Sequence, residues 1–358
     1  MAFSTVPRES KSLINKAGLI LAENKANGMT VESARGLAER WRACHAYPIN
    51  TFQSTLRRKL KKFSDGLIVA QRLKRMPTII DKLKRYPKMN LARMQDIGGV
   101  RAVLNSLEEV YSLAKEYKDK SRFAHELINE KDYIKAPRDE DGYRSVHLVY
   151  KYNNKRSPQY NGLLIELQIR TKLQHTWATA VETMSTFLGQ ALKSRRGDKE
   201  WLDFFAIVAS AFACIENTEP IPRHKHLSRR EIFRAVSKAN DELEVLEKIR
   251  GYSVAVNEIN KKGTSKEGWS YHLIILDSLK KTVQITAYKR GSINQATVDY
   301  AEVEERAVKG EKIEAVLVSA GPLTILRQAY PNFFLDISDF VRRIESIIEE
   351  SGDNYAVD

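Results

Sequence analysis

The stretch LLIELQIRTKLQHTWATAVE, residues 163–182, constrains this chain most, because its hydrophobic period changes halfway along. Ile165, Leu167 and Ile169 alternate with Glu166, Gln168 and Arg170, the period-two pattern of a half-buried strand. From Lys172 the spacing turns helical, with His175 and Trp177 in the first turns. One strand face is aliphatic and belongs against a core. The other sets out a carboxylate, an amide and a guanidinium at intervals of about 7 Å. A metal-binding acid, a polar reader and a phosphate clamp on one face point to nucleotide chemistry; an ordinary solvated face is the bland alternative.

A chain of 358 residues, 42% of them hydrophobic, suits two domains with sizeable cores. No apolar run approaches the roughly 20 residues that span a bilayer. The start, MAFSTVPRESKS, has no apolar secretory segment, so a cytoplasmic location with no membrane partner is expected. Cys44 and Cys214 then read as reduced thiols. The net charge of +14 is unevenly placed: residues 51–90 carry twelve Lys and Arg against Asp65 and Asp81, a net +10. Such a tract is either a solvated helical face or a surface for polyphosphate or nucleic acid.

The fold class expected is α/β (α+β), with a mixed sheet flanked by helices and a smaller C-terminal unit. Helices are predicted over 8–45, broken at Asn27-Gly28 and ended by Pro48, then over 51–63 and over 67–86 with an interruption at Pro77. A Gly98-Gly99 turn leads into a strand from Val100 to Leu104 and a helix over 107–120. Strands at 145–152 and 162–170 and helices at 172–192 and 198–215 close a first domain, 1–217. The proline-bearing segment 217–226 reads as a linker. A small α+β domain, 227–358, follows, with helices at 229–247, 294–308, 321–329 and 335–349 and strands at 251–259, 269–276, 281–288 and 312–319.

Five stretches bear chemistry. In RLKRMPTIIDK, 72–82, Arg72, Lys74, Arg75 and Lys82 crowd one region; a triphosphate needs several cations, and arginine also stacks on adenine. In RMQDIGGVRAVL, 93–104, Asp96 precedes the glycines and Arg101 follows. A carboxylate beside a polyphosphate commonly holds Mg²⁺; the alternative is an Asp–Arg pair at a strand start. In YIKAPRDEDGYRSVHLVY, 133–150, Tyr143 stands on a loop, with Ser145 and His147 on its side of the next strand. A loop tyrosine either stacks on a base or packs at the loop's foot. Glu166 either joins Asp96 around Mg²⁺ or takes a proton from an attacking hydroxyl. The fifth stretch, 41–60, supplies Trp41, His45 and Tyr47, expected to pack against the core.

Together, and in this order, these stretches resemble the synthetase domain of the RelA/SpoT family over roughly residues 30–190. The resemblance implies a nucleotidyltransferase-like fold and transfer of pyrophosphate from ATP to a ribose 3′-hydroxyl. It implies that Arg72, Lys74, Lys82 and Arg101 bind ATP and that Asp96 binds Mg²⁺. Glu166 binds metal or activates the hydroxyl, while Tyr143, His147 and Gln168 place the acceptor. The segment WRACHAYPIN and the second domain resemble fused toxin–antitoxin synthetases of the CapRel type. That likeness implies a tRNA 3′-terminal adenosine as acceptor, with arrest of translation. It also implies silencing by Tyr330 and Phe333 in the second domain and release by a phage protein. A guanosine alarmone synthetase using GDP or GTP is the rival reading. A non-catalytic RNA-binding regulator is a third.

Overall fold

A computed structural model describes residues 3–119, 123–188, 192, 197–253, 257–261, 269–277, 279–280, 282–289, 291–311, 313–318 and 337–352. Tyr330 and Phe333, the expected silencing residues, and the helix expected at 321–329 lie outside the described residues.

The first half is α1 (Lys11–Glu23), α2 (Val31–Ala43), α3 (Ala46–Leu60), β1 (Ile68–Leu73), α4 (Met76–Arg85), β2 (Gly98–Leu104), α5 (Leu107–Lys118), β3 (Glu126–Asp132), β4 (Val146–Lys151) and β5 (Leu164–Thr171). The five strands form one mixed sheet in the order β1-β2-β5-β4-β3, with only β2 and β5 parallel. Ile165, Leu167 and Ile169 are fully buried in a core built with α1–α5, so the aliphatic face of the strand goes where its period sends it.

Some expectations need correction. Residues 68–73 are a strand rather than the start of a helix; IVAQRL fits either period, and pairing with β2 decides it. Pro48 does not end a helix but sits in the first turn of α3, where its missing N–H has no intrahelical partner to lose. Gly98 and Gly99 are the first residues of β2, not a turn. A Cβ on Gly98 would meet Ile165 at 2.9 Å and Ile49 at 3.0 Å, so this glycine serves core packing. Gly142 has φ +72 and a would-be Cβ 2.4 Å from Ala209, so both its backbone and its bareness let the Tyr143 loop lie on a later helix. Strand β3 adds to the strands expected from the sequence.

The switch at Thr171 is enforced locally. Its hydroxyl accepts from Gln174 N at 3.2 Å and Gln174 Oε1 accepts from Thr171 N at 3.3 Å, a reciprocal cap that opens α6 (Lys172–Phe187) directly from β5. α6 packs with α7 (Lys199–Ile215), α8 (Arg229–Leu243), α9 (Val245–Ser253) and the helix Ser338–Ser351 in a second core. Thus α8 and the C-terminal helix lean on α6 and α7 rather than on the second sheet. That sheet holds β6 (Asn257–Lys261), β7 (Trp269–Asp277), β8 (Thr282–Lys289) and β9 (Ile313–Val318), in the order β6-β8-β7-β9, covered by α10 (Ile293–Val308). Among the described residues no helix is long and apolar enough to cross a membrane.

The second sheet docks beside β1 of the first sheet. Glu304 of α10 pairs with Arg42 of α2, accepts from Tyr300 Oη at 2.9 Å, and accepts from Met76 N at 3.2 Å. It therefore caps α4, whose own N-cap Arg75 supplies no side-chain bond. Arg75 in turn reaches Glu314 of β9 at 2.8 Å.

Candidate active site

The polar face of β5 lines up with its neighbours by register. Gly99, Glu166 and Val149 form one row; Arg101, Gln168 and His147 form the next. Arg72 lies opposite Gly99 on β1. Above these rows opens a cleft of about 980 Å³ including its mouth, lined by Arg72, Lys74, Asp96, Arg101, Tyr143, His147, Glu166, Gln168 and Arg170 from the sheet side. Trp177, Val181 and Glu182 of α6 and Phe205 of α7 line the far side. Lys82 does not line this cleft but reaches it through Asp96. The residues selected from sequence, apart from the two outside the described range, therefore converge.

Asp96 stands in the turn before β2. Its Oδ2 accepts from Lys74 Nζ at 2.8 Å and from Lys82 Nζ at 2.9 Å. Its Oδ1 is buried and has no hydrogen-bond partner. Burial opposes its ionisation, but the two ammonium groups outweigh that and hold the carboxyl well below the usual range. Burial and the nearby Arg72 and Lys82 charges pull Lys74 down despite Asp96. The two lysines and one carboxylate carry surplus positive charge facing the cleft, as a polyphosphate requires.

Glu166 differs. His147 Nδ1 lies 2.8 Å from its Oε1, and Gln168 Nε2 donates to its Oε2 at 2.7 Å. Burial opposes its charge, but His147 and these bonds outweigh it and keep the carboxyl below its ordinary value. Tyr143 Oη meets the other ring nitrogen, Nε2, of His147 at 2.9 Å, completing a Tyr143–His147–Glu166 chain. Burial works against charge on His147, yet Tyr143 and Glu166 push its pKa up to about 9. Burial likewise disfavours ionised Tyr143, yet His147 and Arg170 bring it down to about 8.

Several contributors were not singled out from sequence. Arg138 lies over the Tyr143 ring, 4.7 Å from its centroid, and over Tyr133 at 5.6 Å. It pairs with Asp141 at 2.7 Å, and Asp141 also accepts from Tyr143 N at 3.0 Å. Part of the loop's acidity is thus spent on fixing the loop itself. Glu182 and Tyr133 give no signal by spacing, since only the fold brings α6 and β3 to this cleft. Trp41 and His45 are buried, and Tyr47 stacks on Tyr160 at 4.5 Å, away from the cleft, as expected of packing residues.

The residues present fit a Mg²⁺ ion in part. The orphaned Asp96 Oδ1 is a ready oxygen ligand, whereas both Glu166 oxygens are taken by His147 and Gln168. Among the described residues no cluster of three or more His, Cys, Asp or Glu forms a metal cage, so any ion there would take further oxygens from a bound nucleotide and water, as Mg²⁺ commonly does.

Residues 71–187 match the family described as "Region found in RelA / SpoT proteins", an interval that takes in every cleft residue named above from the sheet side. The chain is 30% identical over 119 residues to GTP pyrophosphokinase YjbM of Bacillus subtilis, covering 33% of this chain and 55% of that protein. It is 33% identical over 129 residues to an uncharacterized protein of Mycobacterium tuberculosis, covering 36% of this chain and 42% of that one. The chain thus spans about half the length of the curated relatives it matches. Among solved structures, small alarmone synthetase 1 of Bacillus subtilis bound to its product pppGpp aligns at TM-score 0.42 and 22% identity, over 50% of this chain and 92% of that one.

Proposed function

We propose that this chain is an ATP-dependent pyrophosphokinase that moves the β,γ-pyrophosphate of ATP onto the 3′-hydroxyl of a guanine nucleotide. The observation that carries this is the pair of unlike carboxylates in one cleft: Asp96, with a bare oxygen beside two lysines, and Glu166, held ionised beside His147. Lys74, Arg72 and Arg101 receive the triphosphate, and Lys82 acts from behind through Asp96. Glu166 takes the proton of the 3′-hydroxyl as that oxygen forms its bond to the β-phosphorus. The bond from the β-phosphorus to the α-phosphate oxygen breaks, and AMP leaves. Gln168 and His147 hold Glu166 in place, so the base needs no reorganisation at the moment of transfer. Asp96 would hold Mg²⁺ through its free oxygen; a bound ion would neutralise charge on the phosphates.

The choice of acceptor reverses the order given by sequence alone. The relative named as a GTP pyrophosphokinase supports a guanine nucleotide. The basic tract, which favoured the tRNA 3′-adenosine, is partly consumed by internal pairs: Lys59 and Lys62 with Glu116, Lys74 and Lys82 with Asp96, Arg75 with Glu314, and Arg85 with Asp81. The tRNA acceptor stays as the second reading, favoured by the cations of 51–90 beyond these pairs. A fused toxin with a silencing second domain is part of that reading, and the docking of Glu304 on Met76 and of Glu314 on Arg75, the residues that follow Arg72 and Lys74 in the chain, supports such communication.

Incubating the full chain with ATP labelled at the γ-phosphate and either GDP, GTP or bulk tRNA tests this. Label in the guanine nucleotide is expected. Label in tRNA alone replaces the acceptor, and label in neither defeats the enzymatic reading.

A further inference from the structure

We infer that Arg170 reads the base of the acceptor, its guanidinium taking the pair of hydrogen-bond acceptors O6 and N7 of guanine, where adenine keeps N7 but replaces O6 by an amine donor. This rests on the acceptor side of the function proposed above. Arg170 is 3% exposed and lines the same cleft as Tyr143 and Trp177. Its Nη2 meets His175 Nδ1, while its Nε is buried without a hydrogen-bond partner. Among the described residues no carboxylate forms an ion pair with it. Burial and the like charges of Arg101 and Arg72 bring its pKa down to about 9. A guanidinium stripped of water and left in this state is unfavourable unless a ligand supplies acceptors.

A base fits this place better than a phosphate. Tyr143 offers a ring for stacking, and Trp177 and Phe205 make the wall apolar. A neutral purine also adds no charge beside Glu166 and Glu182, which line the cleft together with the cations Arg72, Lys74 and Arg101. The planar fork of arginine matches guanine O6 and N7, whereas adenine turns its N6 amine toward the same N–H donors. Sequence spacing marks Arg170 as a clamp for phosphate; its burial in a cleft shared with Tyr143, Trp177 and Phe205 moves it from the phosphates to the base.

The test uses the full chain saturated with the non-hydrolysable donor AMPCPP and calorimetric titration of GDP, IDP and 7-deaza-GDP. IDP, which keeps O6 and N7, is expected to bind within a few-fold of GDP. The 7-deaza analogue, lacking N7, is expected to bind about ten- to a hundredfold more weakly. In Arg170→Gln the GDP and 7-deaza-GDP affinities should become equal, and Arg170→Lys should fall between. Each ratio comes from one preparation, so it does not depend on the folded fraction, and the lysine variant decides if the glutamine variant fails to fold. Equal binding of GDP and 7-deaza-GDP by the unaltered chain overturns the assignment. So does a variant that keeps the 7-deaza ratio but loses the preference for GDP over GMP, which would place Arg170 on a phosphate. Absence of labelled transfer to GDP or GTP defeats the proposed reaction separately, while the binding ratios still decide the role of Arg170.

Discussion

Asp96 and Glu166 are both buried carboxylates in one cleft, yet their surroundings prepare them for different work. Asp96 gives one oxygen to two lysines and leaves the other bare; its partners carry fixed charge. Glu166 has both oxygens occupied, but by an imidazole that titrates and an amide that can yield. The first arrangement suits a ligand for a cation and an anchor for phosphate. The second suits proton transfer, because a base must be ionised, held still and near a group that can respond to its charge. Sequence left open whether Glu166 binds metal or activates the hydroxyl, and its satisfied oxygens favour the second role.

The sharpest way to break this contrast is Glu166→Gln. The variant keeps the shape and the contact with Gln168 but cannot accept a proton. Pyrophosphate transfer should fall by about 10²–10⁴-fold, with AMPCPP affinity within a few-fold of the unaltered chain. A loss under tenfold would make Glu166 a spectator.

A third buried carboxylate serves as control. Glu304 has both oxygens satisfied by Arg42, Tyr300 and Met76 N, none of which lines the cleft. If satisfaction by fixed partners marks a structural group, Glu304→Gln should act on stability. Leaving Arg42 buried beside a neutral amide should cost about 3 kcal/mol, read as a lowered denaturation midpoint. The Arg42→Met, Glu304→Gln double variant should recover part of it. Full stability in the single variant would show that this junction opens freely in solution.

The site was legible in the sequence because its residues sit on a strand whose period is two. Once Ile165, Leu167 and Ile169 face the core, Glu166, Gln168 and Arg170 must share the other side. Register then carries Arg101 and His147 to the same place. What spacing could not show is partnership between elements. The strand β3 escaped notice because ELINEKD is an edge strand with mostly exposed, polar residues. The pattern of α8 and the C-terminal helix revealed an apolar stripe but not that it lies on α6 and α7. The cap that Glu304 places on α4 joins residues 228 positions apart, and no local signal announces it.

Asp96→Asn probes the other carboxylate with a smaller effect. The amide retains an oxygen but loses the charge that both faces the lysines and attracts a divalent ion. The Mg²⁺ concentration for half-maximal transfer should rise about tenfold. An unchanged requirement would place the ion elsewhere and leave Asp96 as an anchor for Lys74 and Lys82.

The smallest effect separates the two sites by pH. His147, raised to about 9 from an ordinary 6.5, adds stability that is complete below pH 6.5 and lost as pH rises through 9. Tyr143, lowered to about 8 from an ordinary 10, adds stability present above pH 10 and lost as pH falls through 8. From pH 6.5 to 8 the folded chain holds the extra His147 proton, so stability falls with rising pH; from 9 to 10 the unfolded chain holds the extra Tyr143 proton, so it rises again. A trough on the order of 1 kcal/mol near pH 8–9 results. Tyr143→Phe removes the upper limb and, because Tyr143 also raises His147, leaves a decline that ends below pH 9 with no recovery above it. Glu166→Gln takes away one of the charges that raises His147, so its descent should end at lower pH. Asp96 titrates far below this range, and Asp96→Asn should keep the trough intact. A trough that survives Tyr143→Phe, or that disappears in Asp96→Asn, would mean that the two carboxylates do not act as separate electrostatic units.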